Sequence, residues 1–119
     1  MKSRETGNLG EDIAAQYLTS LGYEIVERNY TVKGGEIDII ATFGETLVFV
    51  EVKTRQGTEF PGAEAVDERK CKLLVSAAER FVLDKDELAS EMKARFDFVD
   101  ICFLKDGTTN VKHYKNIIF

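Results

Sequence analysis

Three observations predict an α/β fold for this chain, with a mixed central sheet of about five strands flanked by helices. Helix-like and strand-like stretches follow one another in the order helix, three strands, helix, two strands. A Gly-Glu dipeptide between two apolar runs marks a tight hairpin. At 119 residues, 44% hydrophobic and 31% charged, the chain has the size and balance of one globular domain, residues 1–119, with a single core.

The first helix is expected over Asn8–Leu21. Asn8 is read as its cap, Ala14, Tyr17, Leu18 and Leu21 recur at helical spacing, and Gly22 ends it. A strand follows in YEIVERNYTV, then the hairpin GEIDIIATFGETLVFVEVKTR from Gly35 to Arg55. The Gly57–Gly62 loop holds the only proline, Pro61. Ala63–Val82 is expected as the second helix, with Val66, Leu73, Leu74, Ala77, Ala78, Phe81 and Val82 on a broad apolar face. RFDFVDICFL and NVKHYKNIIF, separated by Lys105-Asp106-Gly107, read as closing strands.

Gly44-Glu45 suits a two-residue type II′ turn, which pairs Phe43 with Thr46. Continued down the hairpin, that register sets Asp38 opposite Glu51 and Glu36 opposite Lys53. The two-residue period then puts Glu36, Asp38, Ile40, Phe49, Glu51 and Lys53 on one face, with Ile37, Ile39, Val50 and Val52 on the other. Opposed carboxylates repel unless something positive lies between them. Two readings meet that need: Lys53 neutralises Glu36 and Glu51 on a solvated face while Asp38 hydrogen-bonds nearby backbone, or a hard divalent cation, Mg²⁺ or Mn²⁺, is held by Asp38 and Glu51.

Other chemistries have less to work with. His113 is the only histidine, which disfavours imidazole-rich zinc sites and a Ser-His-Asp triad, and it is expected to be structural. Cys71 and Cys102 lack the spacing of a metal or redox motif and are read as reduced packing residues. No apolar run approaches the roughly 18 residues of a membrane helix and the charged N-terminus does not resemble a secretory signal, so a cytoplasmic location is expected. The formal net charge of −5 does not draw nucleic acid over long range. Binding a phosphate backbone would need a local Lys/Arg cluster.

Asp38, twelve intervening residues and then Glu51-Val52-Lys53 resemble the D…(D/E)-X-K signature of the restriction-endonuclease-like nuclease superfamily. More closely, RNY…GGEIDIIA…LVFVEVKTR, followed by AVDERKCKLLVSAA and RFDFV, resembles the bacterial YraN-like family, related to archaeal Holliday-junction resolvases. The likeness runs from about Gly10 to the C-terminus. It implies a restriction-endonuclease-like three-layer core and a metal-dependent phosphodiesterase acting on DNA, branched DNA included. Asp38 and Glu51 would bind Mg²⁺ or Mn²⁺ with the backbone carbonyl of Val52. Lys53 would orient the attacking water, and Glu11 would complete the site. A homodimer is expected by analogy with resolvases, which cut two strands as symmetric pairs. The alternative is a non-catalytic nucleic-acid-binding or accessory module that keeps the nuclease fold.

Glu11 also has a local reason for its place, since Asn8 and Glu11 form an N-x-x-E capping pattern. Lys70 falls on the apolar face of the second helix, where its head either snorkels or faces the site as a phosphate contact. Arg55, Lys70 and Arg28 are the candidate nucleic-acid-binding residues, with Lys33, Arg69 and Lys72 as further cations. Tyr30 and Phe60 are candidates for stacking on bases or for packing. The Arg95-Phe96-Asp97 segment matches the family, and the sequence assigns it no role.

Overall fold

The structure is a computed structural model that describes residues 3–57, 68–85 and 91–117. Its elements are α1 (Ser3–Ser20), β1 (Glu24–Val32), β2 (Gly35–Phe43), β3 (Thr46–Gln56), α2 (Glu68–Asp84), β4 (Lys93–Phe103) and β5 (Thr109–Tyr114). They form the predicted α/β arrangement, a five-stranded sheet in the order β1-β2-β3-β4-β5 with a helix on each face. Neighbouring strands are antiparallel except β3 and β4, which run parallel and are separated in sequence by α2. This agrees with the restriction-endonuclease-like core that the resemblance implies. Among the described residues no helix is long and apolar enough to cross a membrane.

α1 begins at Ser3 rather than at Asn8, so Asn8 lies inside the helix and is not its cap. The capping explanation for Glu11 goes with it. At the other end the prediction holds. Gly22 takes φ +100°, the Gly22 N–H donates to the Thr19 carbonyl at 3.0 Å and the Tyr23 N–H donates to the Leu18 carbonyl at 3.0 Å. This is a Schellman closure, which satisfies carbonyls that the last helical turn leaves open. Leu21, expected on the helical face, lies beyond the last helical residue and is exposed.

One apolar layer joins Ala14 and Leu18 of α1 to Tyr23, Ile39, Ala41, Val48, Val50, Val99 and Ile101. The other joins Leu74, Ala77, Ala78 and Phe81 of α2 to Ile37, Ile40, Leu47 and Phe49. Val66 and residues 63–67 of the predicted second helix, with Phe60 and Pro61, lie outside the described residues. Tyr30 packs edge-on against Phe81 at 5.4 Å, a packing role rather than a base-stacking one. Neither cysteine is in a disulfide; Cys102 is buried and Cys71 half-buried.

Two glycines mark where the helices touch the sheet backbone. A methyl on Gly10 would fall 1.9 Å from Thr54 Oγ1, so α1 crosses β3 at that residue. A methyl on Gly35 would lie 2.5 Å from the Leu73 carbonyl oxygen and 2.8 Å from the Ala77 nitrogen, both backbone atoms of α2. Backbone does not yield as a flexible side chain does. Gly35→Ala is therefore expected to destabilise the protein by about 1–3 kcal/mol, read as a lower denaturation midpoint at unchanged slope.

The Arg95-Phe96-Asp97 segment has a structural role. Asp97 is fully buried, accepts from Arg95 Nε at 2.9 Å and from the Asn116 N–H at 3.0 Å, and lies 2.7 Å from His113 Nε2. Burial works to raise the Asp97 carboxyl, but the bonds from His113, Arg95 and Asn116 outweigh it and hold the group below its ordinary value. The other nitrogen of His113 meets Tyr17 Oη at 3.3 Å, tying β5 to α1 as expected for a structural histidine. β5 ends at Tyr114, short of the predicted strand end. Asn116 turns to φ +57° and presents its N–H to Asp97. Ile118 and Phe119 lie outside the described residues.

Candidate active site

The hairpin turn and its register are as the sequence predicts. Gly44 has φ +61°, and pairing runs from Phe43↔Thr46 to Ile39↔Val50. There the ladder stops. The first half of β2 stays with β1, where Glu36 pairs with Thr31, while the second half of β3 follows β4, where Lys53 pairs with Asp100. The expected ladder pairs Asp38–Glu51 and Glu36–Lys53 therefore do not form, because the two halves go to different neighbours and the sheet opens as a fork.

Asp38 sits at the crotch of that fork. The Val52 N–H donates to Asp38 Oδ2 at 2.7 Å, so a side chain replaces the missing ladder bond and fixes the carboxylate. In an extended strand a residue's N–H and C=O point to the same side. The Val52 carbonyl is thus directed into the fork as well. Opposite Asp38 on the β1 side, Asn29 takes φ +55°, a left-handed conformation that asparagine tolerates better than most residues.

The strict alternation of faces also breaks here. Ile39, Val50 and Val52 share the α1 layer and Ile40 shares the α2 layer with Phe49, as expected. Ile37, however, packs with Ile40 against α2 and not with Ile39. The local irregularity around Asp38 defeats a two-residue period.

Five elements bring polar groups to the fork. Glu51 of β3 is largely buried, with 14% of its side chain exposed, and Lys70 Nζ of α2 lies 3.7 Å from its Oε2. Burial, then hydrogen bonding with the Asp38 carboxyl, then its charge push Glu51 up from 4.5 to about 8. The two carboxyl groups come within hydrogen-bonding reach of each other, although not as the ladder pair expected. The cation facing Glu51 is Lys70, which the sequence reading aimed at the site.

On the α1 side, Gly10's contact with Thr54 sets Glu11 beside the fork. Burial and the Asp38 charge raise the Glu11 carboxyl, against a lowering from Arg28 and from a hydrogen bond with Asn29. Arg28 lies 2.8 Å from Asp12 and 3.9 Å from Glu11, so its guanidinium is engaged with carboxylates of α1. Among the described residues no group of three or more His, Cys, Asp and Glu side chains is gathered closely enough to hold a metal by itself. The close acids are the pair Asp38 and Glu51.

Lys53 is exposed and lies on the Glu51 side of β3, away from Val52 and Thr54, which face α1. Arg55 Nε is 3.9 Å from Oδ1 of Asp100, a fully buried residue. Lys72 instead pairs with Glu68 at 3.5 Å on α2. The sequence reading missed Asn29 and Asp100. The first lies in the RNY element already singled out, and the second is an acid in the middle of the apolar run FDFVDICF.

The family described as Uncharacterised protein family UPF0102 matches residues 10–101, a span that contains Glu11, Asp38, Glu51, Lys53 and Lys70. The chain belongs to the UPF0102 family. It is 42% identical over 122 residues to a UPF0102 protein of Desulforamulus reducens, covering 99% of this chain and 98% of that one. Identity to the UPF0102 protein of Carboxydothermus hydrogenoformans is 40% over 119 residues, again with 99% and 98% coverage. The UPF0102 protein of Caldicellulosiruptor saccharolyticus is 42% identical over 118 residues, covering 98% of each chain.

Proposed function

We propose that this UPF0102 protein hydrolyses phosphodiester bonds in DNA, branched forms included, using Mg²⁺ or Mn²⁺ held by Asp38 and Glu51. The observation that carries this reading is the meeting of those two carboxyl groups in a largely buried fork, where burial and mutual repulsion push Glu51 up to about 8. A site whose acids are held together at that electrostatic cost fits cation binding better than it fits a stabilising ion pair. The donors are all oxygen: Asp38, whose Oδ2 is oriented by the Val52 N–H, Glu51, and the Val52 carbonyl directed into the same opening. That set suits a hard ion that keeps several waters. Glu11, set beside the fork, is placed to receive one of those waters.

A bound divalent ion would polarise the scissile phosphate and supply a water of lowered pKa. The chain's own side chains do the rest. Lys53, two residues beyond Glu51 on the same side, orients the attacking water and offsets charge as it develops on the phosphoryl oxygens. Lys70, 3.7 Å from Glu51 Oε2, would meet a non-bridging oxygen of a phosphate bound beside that carboxylate. Arg28 and Arg55 flank the fork on β1 and β3. Paired cuts in a branched substrate would require two copies of the chain, hence a homodimer.

Calorimetric titration with Mn²⁺ tests the metal, and labelled linear, flap and four-way DNA tests the reaction. Heat is expected for the native chain and is expected to vanish in Asp38→Asn and Glu51→Gln. Heat that survives both substitutions would remove the metal site. Binding of DNA without cleavage in Mg²⁺ or Mn²⁺ would leave the non-catalytic module.

A further inference from the structure

The far half of β3 carries a second feature, on the side of the sheet that faces away from α1. Ladder pairing sets Lys53, Asp100 and Lys112 in one row across β3, β4 and β5, with Arg55 one step further along β3. Partners in a ladder point to the same side. Val52, Val99, Ile101 and Val111 pack in the α1 layer, so this row points the other way.

Asp100 is fully buried and neither of its carboxylate oxygens has a hydrogen bond. Such a group is costly unless opposite charge faces it. Burial raises the Asp100 carboxyl above its ordinary value, and the charges of Arg55, 3.9 Å away, of Lys112 and of Lys53 offset that only in part. Among the described residues three cations, Lys53, Arg55 and Lys112, act on this one acid. Lys53 and Lys112 are exposed and Arg55 keeps 31% of its side chain in solvent, so the charged heads of all three reach the surface. A chain of net charge −5 cannot attract a polyanion through its total charge, whereas a local cluster of this kind can.

We propose that Lys53, Arg55 and Lys112, gathered over the buried Asp100, form a phosphate track that carries the DNA strand away from the scissile bond across β3, β4 and β5. The inference rests on the nuclease reading, because Lys53 belongs to both the track and the reaction. Asp100 acts from beneath as a positioning residue: it holds mutually repelling cations at adjacent positions without offering its own oxygens to the ligand. The track follows the sheet on the side of the fork away from β1, where Arg28 is occupied by Asp12. Adjacent strands are about 4.8 Å apart, so Lys112 reaches a phosphate roughly two strand spacings from the one that Lys53 meets.

Lys112 is the residue to test, since it lies on β5 and outside the proposed chemistry. Anisotropy of labelled duplex and four-way DNA in Ca²⁺, from low to moderate salt, is expected to show Lys112→Gln binding on the order of five- to tenfold more weakly. Its log–log salt slope should be smaller by about one. Lys112→Arg should restore both, and the Mn²⁺ heat at Asp38 and Glu51 should match the native chain. A native protein that cuts DNA, alongside Lys112→Gln with unchanged affinity and slope, would overturn the track and leave the nuclease reading standing. A native protein that neither binds nor cuts any of these DNAs would overturn both.

Discussion

Lys53→Ala is expected to slow single-turnover DNA cleavage by about 10²–10³-fold, the cost of removing one preorganised group from a developing oxyanion. Its Mn²⁺ binding heat should be unchanged, because the oxygens of Asp38, Glu51 and Val52 stay where they are. The separation of these two readouts follows from placement. Lys53 is exposed and stands across the strand pair from Asp100, while the cation against Glu51 is Lys70. Truncating Lys53 therefore leaves the acid pair and both apolar layers intact, so lost activity would be chemical and not a failure to fold. Arginine should not rescue the rate, since a planar guanidinium on a longer stem places its charge differently from a compact ammonium. A rate within about twofold of the native value would remove Lys53 from the reaction.

Glu51→Gln is expected to have opposite effects with and without metal. Without metal, folded Glu51 holds its proton up to about 8, whereas the unfolded chain releases it near 4.5. For a carboxyl raised in this way, the stability associated with the proton is fully present below the unfolded value. It is lost as pH rises through the folded value. Glutamine stays neutral throughout. In EDTA at pH 8.5 the variant should therefore be more stable than the native protein by about 2–4 kcal/mol, with the difference shrinking below about 1 kcal/mol at pH 5. In Mn²⁺ at a hundred times its dissociation constant the native chain should gain about 2.7 kcal/mol and the variant nothing. Thermal melts at the two pH values, each with EDTA or Mn²⁺, check all four corners. Equal stability of the two proteins in EDTA at pH 8.5 would show that the fork does not strain its acids.

The same coupling predicts proton release when metal binds. Mn²⁺ titrations near pH 7 in buffers of differing ionisation enthalpy should give different apparent heats, because Glu51 must give up its proton as the ion enters. The buffer dependence should fade above pH 9, where the proton has already gone.

Much of the architecture was legible in local chemistry. Gly44 at φ +61° and Gly22 at φ +100° do what their places in the sequence imply, one setting the hairpin and the other closing α1. The register follows from the turn as far as Ile39↔Val50. Beyond that pair the reading failed for a definite reason: extrapolating a hairpin assumes that two strands remain partners. Here β2 keeps β1 and β3 keeps β4, and no residue between Asp38 and Glu51 announces the parting. The start of α1 was misplaced because Asn8 matches a capping pattern while the helix continues back to Ser3. Asp97 had no assignable role because Arg95, His113 and Asn116 meet it only after β4 and β5 have paired.

The sequence by itself determined the α/β class, the order of elements, the tight turn and the two acids that meet at the fork. Those properties depend on side-chain period and on the backbone freedom of individual glycines, both local. Only the tertiary structure decided that the strands part at Asp38, that Ile37 turns to the α2 layer, that Lys70 faces Glu51 and that Asp100 lies buried beneath three cations. Each of those outcomes depends on which distant strand or helix a residue is packed against. Pairing of that kind is settled by the burial of the whole sheet between two helices.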